Sequence, residues 1–308
     1  MNTESISTPT DPNNLHDMHA QDKAGPEAGM HAITAIDTHA HVFARSLNLA
    51  RQRRYTPDYD ATLDDYLAQL DANGISHGVL VQPSFLGSDC SYMLDALAQA
   101  PERLRGVAVV DSACGAAYLD RLHRAGVVGI RLNMIGVPDL PLQNPAWSET
   151  LAQVAALGWH VEVHAEASRL PATIEPLLAH TMNIVIDHYG RPEPQANIGD
   201  ASLRYLYGLA DTGRVWIKLS GAYRNWGDLT LGAAQTRARG MLAALRERFG
   251  LERLMWGSDW PHTQFETRHD YRTSLDLIKS LLPDREVLEA VMVQTPARFF
   301  GFARNESI

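Results

Sequence analysis

The chain has 308 residues, 45% hydrophobic and 20% charged, an ordinary globular composition that excludes a protein disordered throughout. Its 27 Lys and Arg against 36 Asp and Glu leave a formal net charge of -9, without the basic face that phosphate neutralisation needs, so nucleic acid is excluded as a partner. Two cysteines, Cys90 and Cys114, provide neither a disulfide framework nor a thiolate zinc site, and no run nears the roughly 18 apolar residues of a membrane span; a cytoplasmic protein is expected.

Residues 1–33 are rich in Ser, Thr, Pro, Asp, Asn and Gly without a period, which predicts a flexible arm. Its His16, His19 and His31 are read as solvated side chains without a role. From Ala35 onward, β-branched runs at 35–41, 78–83, 105–111, 129–134, 160–166, 183–188, 215–221 and 254–261 alternate with segments of helical spacing, such as Leu63, Tyr66, Leu67 and Leu70. Near-continuous apolar strands alternating with helices predict a parallel sheet covered by those helices. Eight such units fit an α/β fold of the (β/α)8 TIM-barrel type, one domain over residues 34–304. The rival, an open doubly wound sheet, calls for a glycine-rich turn after the first strand, where His-Ala-His stands instead. Residues 270–302 predict two closing helices.

In such a barrel the C-terminal strand ends converge on one mouth. Those ends carry His39 and His41, then Gln82 and Ser84, Arg131, His164, His188, Lys218 and Ser220, and finally Asp259. His39 and His41, two apart, project from one face. With His164 and Asp259 they offer three imidazoles and a carboxylate, a ligand set for one divalent metal, zinc or manganese, with metal-free operation as the alternative. Singly, each residue has an ordinary explanation: a His-x-His pair commonly hydrogen-bonds, His188 alone would be a core histidine, and His160 and His180 read as structural. Agreement among several strand ends points to an active site. Arg131, Arg191 and Arg224 follow strands and present planar forks suited to a carboxylate, while Tyr55 offers a hydroxyl to the same ligand or packs over the rim.

DTHAHVF, GIRLN, VIDHYGRP and WGSDWPH, in that order, are similar to motifs of the amidohydrolase superfamily. The likeness runs from about Ile36 to Phe302 and is to the amidohydrolase-2 branch, which includes 2-pyrone-4,6-dicarboxylate lactonases. The resemblance implies a distorted barrel that hydrolyses esters, lactones or amides, some members decarboxylating instead. It implies catalytic roles for His39, His41, His188 and Asp259, the aspartate as general base on water. It also implies substrate contacts from Tyr55, Ser84, Arg131, Arg191, Arg224 and His262. Two positions depart from the lactonases: His164 replaces a tyrosine, as in metal-binding members, and Val137 replaces an arginine. The resulting expectation is a hydrolase that opens a small anionic, carboxylated lactone. Its rivals are a metal-dependent decarboxylase of an aromatic or unsaturated acid and a binding barrel without catalysis. A homo-oligomer is compatible with the sequence.

Overall fold

A computed structural model describes Met1 and residues 32–227, 229 and 231–302; residues 2–31, which carry most of the expected arm with His16, His19 and His31, lie outside the described residues. Eight parallel strands follow one another in sequence order around a barrel. They are β1 Ile36–Ala40, β2 His77–Val81, β3 Leu104–Ala108, β4 Val127–Asn133, β5 His160–His164, β6 Ile184–Ile186, β7 Val215–Leu219 and β8 Leu254–Trp256. Helices fill the crossovers and cover the outside, as parallel pairing requires. Their starts are written locally. Thr62 and Asp65 form a capping box on Leu63–Ala72, and Asn144 caps Pro145–Ala156 with proline in the first turn. Asp270 caps Tyr271–Leu281. Among the described residues no helix is long and apolar enough to cross a membrane.

Strand alternation divides two environments. Val161 and Val163 of β5, Ile130 and Leu132 of β4, and Val215, Ile217 and Leu219 of β7 join the large core beneath the helices. The opposite faces fill the lumen. Its lower part is apolar, with Ile36, Val79, Val81, Val107, Val185 and Met255 packed on Phe300 and Phe302 from the chain's C-terminal turn. Above it the inward positions become polar: Arg131 on β4, Glu162 and His164 on β5, Asp187 after β6 and Lys218 on β7 are all buried.

The ring closes between β8 and β1 by a different chemistry from its other seams. Among the described residues one isolated parallel bridge, Ala40 with Trp260 just beyond β8, joins this seam, with backbone hydrogen bonds from His41 to the Trp260 carbonyl and from Asp259 to the His39 carbonyl, each 2.8 Å. Side chains carry the rest. Asp37 accepts hydrogen bonds from the Ser258 amide at 2.8 Å, the Ser258 hydroxyl at 2.6 Å and the His39 amide at 3.1 Å. Thr38 donates to the Trp256 carbonyl at 2.8 Å. The approach is close: a Cβ added to Gly257 would stand 2.7 Å from His39 Cβ.

Candidate active site

Several of the residues expected at the mouth lie just beyond the strands, in backbone conformations that strands do not allow. Asp259 has φ 63°, His188 φ 53° and Arg191 φ 47°, all in the left-handed region that L-residues avoid at a cost of about 1–3 kcal/mol each. The sequence runs 183–188, 215–221 and 254–261 therefore overshoot: β6, β7 and β8 end at Ile186, Leu219 and Trp256. A three-residue helical turn, His188–Gly190, follows β6, and an irregular stretch, 257–259, follows β8.

Asp259 is the centre of the constellation and is buried. Its Oδ2 accepts the Tyr223 hydroxyl at 2.6 Å and the Arg224 guanidinium. Its Oδ1 has no hydrogen-bond donor among the described residues and faces His41 Nε2 at 3.7 Å and His39 Nε2 at 3.9 Å. His188 Nε2 stands 4.0 Å from Oδ2, and Ser220 Oγ meets its Nδ1 at 2.8 Å. Burial alone would raise the Asp259 pKa; the charge of Arg224 first, and the neighbouring imidazoles after it, hold it well below the ordinary carboxylate range. Burial pulls the histidines the other way, His188 down to about 3 and His39 and His41 below their usual value. At neutral pH the site therefore holds one carboxylate among neutral imidazoles. His41 Nδ1 lies 2.7 Å from the Val81 carbonyl, which only accepts, so the proton sits on Nδ1 and Nε2 offers a lone pair toward Asp259.

Beneath this level lies a layer of two basic and two acidic side chains. Lys218 Nζ pairs with Glu162 and stands 4.0 Å from Asp187 Oδ1. Arg131 donates to Asp187 Oδ2 through Nε at 3.2 Å and Nη2 at 2.9 Å, and lies 3.5 Å from Glu162. His39 Nδ1 sits above, 3.3 Å from Asp187 Oδ1 and 3.4 Å from Glu162 Oε1. Crowding of two buried carboxylates pushes Glu162 up to about 8, through burial first and the Asp187 charge second.

A cavity of about 180 Å³ opens above, lined by His41, Ser84, Arg131, His164, His188, Arg191, Arg224 and Asp259, with Tyr55 and Arg54 at its edge. It continues past Arg54, Ser84, Arg131 and Asn133 into an outer cleft of about 750 Å³ that Val137 lines. Arg191 donates through Nη1 to the Arg224 carbonyl and to Asn225, while its buried Nε has no partner among the described residues. Guanidiniums of Arg131 and Arg191 lining one cavity suit an anion.

Some residues sit otherwise than the sequence reading implies. Arg224 lines the cavity, but its donors go to Asp259 and Thr263, so it tunes the carboxylate rather than presenting a free fork. The Tyr55 hydroxyl is donated to Glu266 at 2.9 Å. His262 is not on the cavity wall; its turn buries it against Tyr223 and His269, with ring centroids 5.5 and 4.9 Å away. The four expected metal ligands do not form one cluster. Donor atoms of His39, His188 and Asp259 lie within 4.8 Å of one another, whereas His164 groups with Asp187 and His188 and accepts Arg131 Nη2 on its Nδ1 at 3.1 Å. Sequence reasoning passed over Asp187, Glu162 and Tyr223, and gave Lys218 and Ser220 no role. The available signal was polar alternation inside strands, as in the His-x-Glu-x-His of β5. Tyr223, in a short helix after β7, left none.

Residues 36–302 match the family described as Amidohydrolase, in its second group. The chain is 31% identical over 276 residues to the 2-pyrone-4,6-dicarboxylate hydrolase of Comamonas testosteroni, covering 86% of this chain and 90% of that protein. It is 32% identical over 277 residues to the 4-sulfomuconolactone hydrolase of Rhizobium radiobacter, covering 87% and 90%. A crystal structure from Acinetobacter baumannii, whose proposed identity is a 2-pyrone-4,6-dicarboxylic acid hydrolase and which holds citric acid, is 37% identical with a TM-score of 0.84, over 88% of this chain and all of that one.

Proposed function

The chain belongs to the amidohydrolase family, and from that premise we propose that it hydrolyses a small lactone bearing one or more acid groups. The observation that carries this reading is the asymmetry of Asp259: one oxygen is fixed by Tyr223 and Arg224, and the other is bare and turned toward the imidazoles at the cavity floor.

The acid group of the substrate engages Arg131 and Arg191, which both line the cavity. That grip places the ring carbonyl over His188, held by Ser220. Asp259 Oδ1 takes a proton as water attacks the acyl carbon, its depressed pKa keeping it ionised at neutral pH. The new C–O bond forms, the ring C–O bond breaks, and the leaving oxygen recovers a proton. The products are a carboxylate and a hydroxyl, with one proton released at neutral pH.

Family chemistry implies a divalent cation, and the donors fit one: the lone pairs of His41 Nε2 and the unpartnered His39 Nε2 and Asp259 Oδ1 face each other with nothing donated between them. His39, His188 and Asp259, with His41 Nε2 3.7 Å from Asp259 Oδ1, would hold zinc or manganese, which when bound lowers the pKa of water and polarises a carbonyl.

The test is turnover of a panel of lactones with zero, one or two carboxylates, followed by proton release, with and without chelator. Lactones with acid groups should be opened, and Asp259→Asn should lower kcat by at least about a thousandfold with little change in KM. Carbon dioxide from aromatic acids in place of lactone opening, or normal turnover by Asp259→Asn, would overturn the reading.

A further inference from the structure

Arg54, Ser84, Arg131, Asn133 and Ile135 line the inner cavity and the outer cleft alike, so the two spaces form one hollow with a mostly polar neck. Beyond the neck the cleft, about 750 Å³ against about 180 Å³ inside, is walled in part by Val110, Leu140 and Trp147. A compact lactone ring leaves that outer room unfilled.

The cations around the hollow differ in what neutralises them. Arg131 is paired with Asp187, and Arg224 with Asp259. The donors of Arg53 go to Thr56 and to the Ala50 carbonyl, within its own turn. Arg54 is exposed, and among the described residues its guanidinium has neither a hydrogen bond nor an ion pair. The acid that acts on it from a distance, Glu166, is already paired with Arg169 at 3.2 Å. Partial desolvation first, and the charges of Arg131 and Arg224 after it, pull the Arg54 pKa below the ordinary arginine value. The stem of Arg54 nevertheless has a fixed bed. Gly136 has φ 66°, and a Cβ there would stand 2.6 Å from Arg54 Cδ, so the side chain lies on bare backbone. A cation seated among like charges at the neck, without a carboxylate of its own, favours an anion beside it.

We propose that the outer cleft is a second subsite of the active site, in which Arg54 takes a further acid group carried on an arm of the substrate. This rests on the lactonase reading and deepens it. The acid group near the reacting ring engages Arg131 and Arg191, while the arm leaves through the neck with its methylene groups against the apolar wall and its acid on Arg54. Asp111 also lines the cleft and repels an acid there, which confines the group to the Arg54 side. Water screens part of the attraction to an exposed guanidinium, so the second acid should gain about fivefold. The gain appears in KM rather than kcat, because the arm is remote from the bond that breaks.

Two measurements test this. In the first, calorimetry compares adipate with hexanoate, which have equal chain length and differ by one carboxylate. The wild type should bind adipate about fivefold more tightly, Arg54→Met should bring the two affinities together, and Arg53→Met should keep the preference. In the second, kcat/KM is compared for lactones with one carboxylate on the ring and lactones with another at the end of a short alkyl arm. The wild type should favour the second carboxylate by about fivefold through KM, and Arg54→Met should bring the ratio near one. If adipate preference falls with Arg54 but no lactone opens, the subsite stands and the lactonase reading fails. If acid-bearing lactones open but Arg54→Met leaves both ratios as they were, the lactonase reading stands and the subsite fails. Wild-type ratios near one, or an equal loss in Arg53→Met, also overturn the proposal, the latter because it would show a diffuse field of the loop instead of a contact.

Discussion

Gly221 lies against His188 so closely that a Cβ on the glycine would stand 2.8 Å from His188 Nδ1 and 3.2 Å from Asp259 Oδ2. With φ at 59°, the position is also one that L-residues rarely adopt. Gly221→Ala should therefore displace both side chains at once. The expected result is a loss of kcat of at least about tenfold with a lower thermal midpoint, since a misplacement near 1 Å can cost about a hundredfold. Wild-type turnover in that variant would show that His188 and Asp259 tolerate movement.

Arg224 is expected to act through Asp259. Its charge is the largest influence opposing the rise that burial imposes on that carboxyl. Arg224→Gln should let the Asp259 pKa climb, so the acid limb of the kcat profile moves toward neutral pH, and activity lost near pH 7 returns in part at higher pH. A rise in KM with an unmoved profile would return Arg224 to a direct role on substrate.

Asp37 holds the seam between the first and last strands by two hydrogen bonds from Ser258 and also accepts the His39 amide of its own strand. Asp37→Ala leaves those buried donors without an acceptor, at an expected cost of about 2–4 kcal/mol. Urea denaturation should give that loss together with weakened catalysis, because His39 and Asp259 flank the seam. A change below about 0.5 kcal/mol would mean that the backbone bridge alone closes the ring.

His160, near the bottom of the barrel, packs on Phe299 and Phe300 and is held down to about 3 by burial first and by Lys218 second. Its folded form thus binds fewer protons than the unfolded chain, whose histidines titrate near 6.5. The associated stability is complete above about pH 6.5 and drains away as pH falls toward 3. Replacing His160 with Phe should shrink the stability lost between about pH 7 and pH 5 by about 2 kcal/mol, measured by urea midpoints. An identical loss in both proteins would assign the acid sensitivity elsewhere.

Much of this arrangement is legible in the amino-acid sequence. Strand-to-helix periodicity gives the eight staves, and polar residues at their ends mark the mouth, so His39, His41, His188 and Asp259 can be picked out without coordinates. What the text withholds is direction. Nothing in WPH says that His262 turns away from the cavity, because that depends on a left-handed backbone at φ 65°. Nor does the residue type of Arg224 reveal that its fork is spent on Asp259 and Thr263. The charged layer of Glu162, Asp187 and Lys218 is hidden for another reason: a charged residue within an apolar strand reads as noise until the lumen face is known.

The joint between the first and last staves has a consequence for assembly. Asp259 is contributed by one bank of that joint and the paired imidazoles by the other, so neither a truncated fragment nor a partly formed ring possesses the constellation. Recovery of turnover after denaturation would then time the final stitching of the cylinder, while fluorescence and circular dichroism follow the events before it.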